Sequence, residues 1–373
     1  MYYLDETQRV ISDYLDITEN MLNELLINKK FCGHAKIQST LDLGFPHDVI
    51  RLGGGFATGI YLEWDTQIPF IPVDICMNAC TVSIYELAEE ITQLFCDDNI
   101  QLLLKRLEMS SYKANFHRGN HFISYLESVK THIKYVMIHS SAAEFETNYN
   151  GLYPVEGNLV YSNTKKFFSK TGRYLRYLEG AEAELFARMA SNLYKFNENR
   201  HDFIISSFLG CCSPIKSSSH FHHYGMPSEN EAIIGCHKIN KNDIVPLLSR
   251  PGENVFLIKY ANALDKGVIA RQGFITPHGL GKMHCAVPKI RVNVNKEILY
   301  LDEIAYELKY GVSLRDHPGL KLRDIQMNSF FKVMEKTYNF EIIDEFKQIC
   351  SLNKNGLIFW EKQSGGFDEY IKK

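Results

Sequence analysis

The chain has 373 residues, 45% of them hydrophobic and 23% charged, and 41 Lys and Arg against 44 Asp and Glu leave a net charge of −3. Such a composition excludes intrinsic disorder as the dominant state and gives no global basic signature of a nucleic-acid binder, so any basic surface must be local. No run approaches the roughly 18–20 uncharged apolar residues of a membrane span. The opening MYYLDETQRVISDYL has acids and no apolar stretch and does not read as a signal peptide. Nine cysteines, scattered and odd in number, point to thiols in a reducing cytoplasm rather than to a disulfide frame.

In chain order, residues 5–28 place Val10, Tyr14, Leu15, Leu22, Leu25 and Leu26 at helical spacing, which predicts an amphipathic N-terminal helix within residues 1–30. A glycine-rich turn follows at Gly53-Gly54-Gly55. The run from Ile68 to Cys76 reads as a buried strand with two prolines, and residues 84–107 as a helix broken near Asp97-Asp98. Residues 133–138, IKYVMI, predict a strand, and Ala181–Phe208 the longest helix. Strands are expected at 232–236, 254–260, 267–275 and 285–294, and helices at 300–310, 322–336 and 340–350. No repeat or low-complexity linker divides the chain, so one compact α+β domain over residues 1–355 is expected, with a mobile or edge-docking tail at 356–373.

Chemistry-bearing residues gather at the ends of these segments. Asp74 and Cys76 stand two apart, which on a strand would turn both side chains to one face, as a carboxylate and thiolate able to hold a transition ion. Taken singly, each is as well explained as a buried thiol beside a surface acid. His121 follows Gly119-Asn120, His139 ends the IKYVMIHS strand, and His220, His222 and His223 crowd a serine-rich segment. A lone histidine at a strand end is usually structural and becomes a ligand only in company. His278 lies in TPHGLGKMH, where glycines let the backbone approach a phosphate. Lys165, Lys166, Lys170, Arg173 and Arg176 interleave with Phe167, Phe168, Tyr174 and Tyr177, a pattern that suits single-stranded nucleic acid or, more plainly, a solvated basic face with its aromatics in the core.

Taken in order, these segments resemble the RtcB-type RNA ligases. The stretch Pro46–Gly55 looks like the family's PDVHLGKG. Val73–Asn78 looks like VDIGCGMN without its glycines, and Gly119-Asn120-His121-Phe122 matches GNHF. Met137–Ser140 matches the start of HSGSRG, and Leu178-Glu179-Gly180 and Asn199-Arg200 fall where MEGTEY and the helical NR would be. His222-His223 with Glu229 resembles HHNYVQKE, Pro251-Gly252 stands for PGSMG, His278–Lys282 for HGAGR, and Arg323-Asp324-Ile325 for YKDI.

The resemblance covers roughly residues 37–355 and implies an RtcB-like domain with mixed or antiparallel sheets flanked by helices. It implies Asp74, Cys76, His121, His139 and His223 as ligands of two manganese ions, and His278 as the nucleophile that takes GMP from GTP. Nucleotide contacts would come from Asn120, Pro251, Gly252, Gly279, Gly281, Lys282 and Lys354. The implied activity joins an RNA 3′-phosphate, or 2′,3′-cyclic phosphate, to a 5′-hydroxyl in RNA repair or tRNA splicing, with an archease-type activator as a partner and no membrane. The basic residues from Lys165 to Arg176 would then contact RNA.

The chain departs from the family where the phosphates would lie. HSGSRG has become HSSAAE, without its arginine, PGSMG has become PGENV, RKGA appears as His237-Lys238-Ile239-Asn240, and Tyr224 replaces the asparagine after the ligand histidine. Lost glycines and a lost arginine weaken a triphosphate site. Two other readings therefore stay open: a metal-containing relative that only binds RNA ends, and a metal-dependent phosphoesterase.

Overall fold

A computed structural model describes residues 2–113, 115–116, 121–142, 144–147, 152–210, 215–281, 283–323 and 327–360. It is a mixed α/β structure, 29% helix and 39% strand, with antiparallel sheets, one of them curled into a half-barrel. Strand thus outweighs helix, the reverse of the usual globular proportions.

The N-terminal helix runs from Glu6 to Asn28. Asp5 caps it by accepting the Gln8 backbone N–H at 3.0 Å, and Ile11, Leu15, Leu22, Leu25 and Leu26 are buried along one face. That face lies on the strand His34–Gly44. The Gln8 side-chain amide bonds the carbonyls of Leu41 at 2.7 Å and Leu43 at 3.1 Å, which pins the strand on either side of Asp42. Strand His34–Gly44 belongs to a four-stranded sheet with Thr58–Asp65, Glu231–Ile234 and Tyr224–Ser228.

The larger sheet has eight strands. Seven stand in the spatial order Ile244–Leu247, Val255–Ala263, Tyr338–Asn353, Phe122–Ser128, Lys134–Ser140, Thr81–Leu87 and Ile215–His222, and Gly356–Phe359 pairs on the end of Tyr338–Asn353. The long helix Ala181–Leu209 packs against this sheet. Its Asn197, Arg200, His201 and Ile204, at helical three- and four-residue spacing, are all buried.

Several expected elements change type. Residues 300–310 supply the strands Ile298–Leu301 and Ile304–Glu307, and 340–350 falls within the 16-residue strand Tyr338–Asn353. The helix expected at 322–336 starts later, at Met327, and ends at Thr337. The segment 84–107 splits into the strand Thr81–Leu87 and the helix Asp97–Glu108, with the two aspartates at the helix start, where they complement its dipole. The Ile68–Cys76 run yields only the short strand Phe70–Pro72 and then a 3-10 turn, Val73–Ile75. Of the expected tail, Gly356–Phe359 docks on the sheet edge, whereas 361–373 lies outside the described residues.

Candidate metal centre and its histidine dyad

One end of the larger sheet gathers the candidate ligands because its strands begin and stop in register there. In the pairing of Thr81–Leu87 with its neighbours, Thr81 faces Ser140 on one side and His222 on the other, and Val82 faces His139. On the next strand Phe122 faces His139. The residues just before Thr81 and Phe122, and just after His222, are Cys80, His121 and His223. All three therefore emerge at the sheet end that carries His139.

Cys80, His139 and His223 form a buried triad whose donor atoms lie within 4.8 Å of one another. Cys80 Sγ stands 3.0 Å from His139 Nε2, and that nitrogen stands 3.1 Å from His223 Nε2. A thiol and two imidazole nitrogens meeting at such distances in a closed interior make a donor set suited to a transition ion. The Nδ1 of His223 has no hydrogen-bond partner among the described residues, although the side chain is 1% exposed. Backbone bonds hold the residue in place: His223 N–H donates to the Cys80 carbonyl at 3.2 Å, and its own carbonyl accepts from Gly235 N–H at 2.7 Å. Burial first, and then the neighbouring His278 and His139, hold the His223 imidazole well below its ordinary pKa, in the neutral form a metal requires. His121 joins the edge of the group, its ring set nearly perpendicular to that of His139 at 5.6 Å. Its Nδ1 lies 3.1 Å from the Asn115 carbonyl, an arrangement that fixes Nε2 as the basic nitrogen.

The thiol of the triad is Cys80, not Cys76. Spacing two apart had placed Asp74 and Cys76 on one strand face, but both lie in or beside the 3-10 turn. The backbone takes left-handed conformations at Cys76 (φ 50°) and Ala79 (φ 51°). Asp74 is committed elsewhere. Its carboxylate accepts a fork from Arg176, Nε to Oδ1 at 2.9 Å and Nε to Oδ2 at 3.1 Å, both residues being buried. Burial raises the Asp74 carboxyl and Arg176 pulls it back. Gly54 makes room for this pair: a Cβ there would lie 2.2 Å from the Asp74 Cβ. Cys76 is fully buried, its carbonyl bound by Arg51 at 2.8 Å, and burial pushes its thiol pKa up. No described contact joins Asp74 or Cys76 to the histidine cluster.

His278 follows the strand Phe274–Pro277 and stacks on His223, ring centres 4.9 Å apart and planes 14° from parallel. Its Nδ1 lies 2.5 Å from Asp42 Oδ2, and the same oxygen accepts the His278 backbone N–H at 3.1 Å. Gly279 N–H stands 3.4 Å from it. Asp42 is 3% exposed, and Gly281 (φ 73°) passes so close that a Cβ would stand 2.8 Å from the Asp42 Cα. The His278–Leu280 turn is laid on Leu248, whose N–H donates to the His278 carbonyl at 2.9 Å. Asp42, like Cys80, is a site residue that sequence reasoning missed. The signal available was an acid in the otherwise apolar strand segment Leu41–Gly44.

Beneath the sheet end the long helix completes the polar frame. His201 is buried between two serines, Nδ1 at 2.6 Å from Ser83 Oγ and Nε2 at 2.5 Å from Ser140 Oγ. Asn197 bonds the carbonyls of Ala79 at 3.1 Å and Ser140 at 3.0 Å, and Arg200 pairs with Glu144 at 2.6 Å. Ser140, Ser141 and Glu144 are thus held by the helix.

The remaining expected contacts divide. Asn120 and Lys282 lie outside the described residues. Pro251 and Gly252 form a turn against Trp360, where a Cβ on Gly252 would meet the indole at 2.7 Å, and Lys354 sits exposed in a hairpin turn. No described contact links these three to His278. The stretch from Lys165 to Arg176 is a β-hairpin, Lys165–Phe168 with Tyr174–Glu179. Arg173 and Arg176 are buried in it and are not surface contacts: Arg173 lies over the Tyr14 ring at 4.0 Å, and Arg176 belongs to Asp74. Lys165 pairs with Glu179 and Lys166 with Glu297, while Lys170 is exposed.

No known protein-family model matches the chain, and no curated protein sequence matches it.

Proposed function

We propose that this chain is a metal-dependent RNA ligase of the RtcB kind, in which His278 accepts a nucleotide and passes it to an RNA 3′-phosphate. One observation carries the reading: a histidine whose Nδ1 is held by a buried carboxylate stacks directly on a member of a Cys/His/His cluster. A structural histidine needs neither neighbour, and a simple metal site needs no orienting carboxylate on a non-ligand ring.

The ligands proposed are Cys80, His139 and His223, with His121 beside them; Asp74 and Cys76 are left out of that set. A divalent ion bound there supplies charge neutralisation and polarisation of a phosphoryl oxygen. Manganese is what the resemblance implies, although a thiolate with imidazoles suits zinc or iron at least as well. Asp42 accepts the proton-bearing Nδ1 of His278 and so presents the lone pair of Nε2. Nε2 attacks the α-phosphorus of GTP. A P–N bond forms, the bond to the β-phosphate oxygen breaks, and pyrophosphate leaves. An oxygen of the RNA 3′-phosphate then displaces His278 from that phosphorus, which activates the RNA end. Attack by the 5′-hydroxyl, with loss of its proton, expels GMP and seals the strand.

The test is incubation with manganese or zinc and α-³²P-labelled GTP, ATP, CTP or UTP, followed by a denaturing gel. A labelled band absent from His278→Ala is expected. No band with any nucleotide in metal-loaded protein would overturn the ligase reading and favour the phosphoesterase, which hydrolysis of a 2′,3′-cyclic phosphate substrate would then reveal.

A further inference from the structure

The hairpin Lys165–Glu179 and the three-stranded sheet of Ile290–Asn293, Ile298–Leu301 and Ile304–Glu307 border an open cavity of about 380 Å³. It is lined by Phe168, Arg173, Arg291, Asn293, Asn295 and Tyr300 among others. The Lys166–Glu297 ion pair ties the two elements together at its edge. Neither element contributes to the cluster of histidines.

The lining combines two features. Phe168 is 62% exposed at the cavity mouth, which leaves its ring accessible to a ligand. Across from the hairpin, the Arg291 guanidinium lies over the Tyr300 ring, 4.5 Å from its centre, a cation–π pair of the kind that planar bases also join. The second feature is the charge around these rings. Of the acids nearby, Glu297 is paired with Lys166, while Glu24 accepts from Ser169 Oγ at 2.9 Å and keeps its charge. Arg291 and Lys170 have no ion pair among the described residues. Open aromatic faces, uncompensated cations and the carboxamides of Asn293 and Asn295 match the needs of an unstacked base with its phosphate.

We infer that this cavity is a binding site for one nucleotide of single-stranded RNA, stacked between Phe168 and the Arg291–Tyr300 pair. It rests on the RNA reading above and adds to it a place that grips the substrate strand away from the reacting end.

The experiment measures the affinity of the full chain for a fluorescein-labelled single-stranded oligouridylate by anisotropy, with the same length of double-stranded RNA as control. The variants are Phe168→Ala, Tyr300→Ala and Arg291→Ala, each checked for an unchanged melting temperature. Loss of one stacking partner is expected to weaken single-strand binding roughly 5- to 150-fold and to leave GTP labelling of His278 intact. Binding by the parent protein that all three variants retain overturns the cavity, as does a parent protein that does not bind the single strand. Variants that lose the oligonucleotide in a protein that no nucleotide labels would uphold the cavity and sink the ligase reading alone.

Discussion

The ring of His278 lies flat on that of His223, 4.9 Å between centres, while its Nδ1 is held by Asp42. The contact couples a prospective nucleophile to the cluster that would carry the ion. It also makes Asp42 a positioning residue, since it acts on substrate only through His278. Asp42→Asn keeps the shape but offers Nδ1 an amide, which can hold the wrong tautomer. Nucleotide labelling of His278 should fall by about 10²–10⁴-fold, the range typical of groups that orient or exchange protons with a catalytic histidine. Metal content and oligonucleotide binding should not move. Labelling of Asp42→Asn at the parent rate would show that the dyad does not matter to the chemistry.

Metal content separates the two cysteines. Cys80→Ala should abolish stoichiometric transition metal measured by inductively coupled plasma mass spectrometry, whereas Cys76→Ala should retain it. In the parent protein, an ion present at a hundred times its Kd should add about 2.7 kcal/mol to stability, and Cys80→Ala should lose that increment. Retention by Cys80→Ala with loss in Cys76→Ala would restore the assignment made from spacing.

Buried neutral histidines set the response to acid. Burial is the first cause of lowered pKa values at His201 and His223, and it brings His237 down to about 4. In each case the unfolded chain, near 6.5, takes up a proton that the folded chain refuses. Stability is therefore whole above about pH 6.5 and falls as the pH drops, down to about pH 4 in the case of His237. The slope is up to about 1.4 kcal/mol per pH unit for each such residue. Urea unfolding of chelator-treated protein at pH 7.5 and pH 5.5 measures it, and equal stabilities would contradict the buried neutral state.

The two amphipathic helices were legible because their apolar residues repeat at helical spacing over many turns: Ile11 to Leu26 in one, Phe186 to Phe208 in the other. Tyr338–Asn353 was not. Its sequence YNFEIIDEFKQICSLN alternates imperfectly, and pairing with Val255–Ala263 and Phe122–Ser128 decides what local pattern leaves open. His121, His139, His223 and His278 were found as separate residues, and the structure gathers all four around one sheet end. Cys80 was passed over because the expected strand ended at Cys76, with Asp74 and Cys76 on one of its faces. Left-handed turns at Cys76 and Ala79 reverse that geometry, and neither residue type announces them. Asp42 gave one faint sign, a carboxylate between buried leucines, whose partner lies 236 residues away.

The same misreading gives the last prediction, on Asp74. A ligand and an ion-pair partner respond differently to mutation. Arg176→Met leaves the Asp74 carboxylate buried and unpaired beneath Gly54, and Asp74→Asn leaves the buried guanidinium without its countercharge. Each should cost about 3–5 kcal/mol of stability, while the double variant Asp74→Asn/Arg176→Met should recover part of the loss, because the expense lies in the orphaned charge. The metal bound by Cys80, His139 and His223 should remain in all three proteins under conditions where they stay folded. If Asp74→Asn instead folded normally and lost an equivalent of metal, the carboxylate would have to leave Arg176 for the ion. The Asp74–Arg176 pair would then be the resting form of a second metal site.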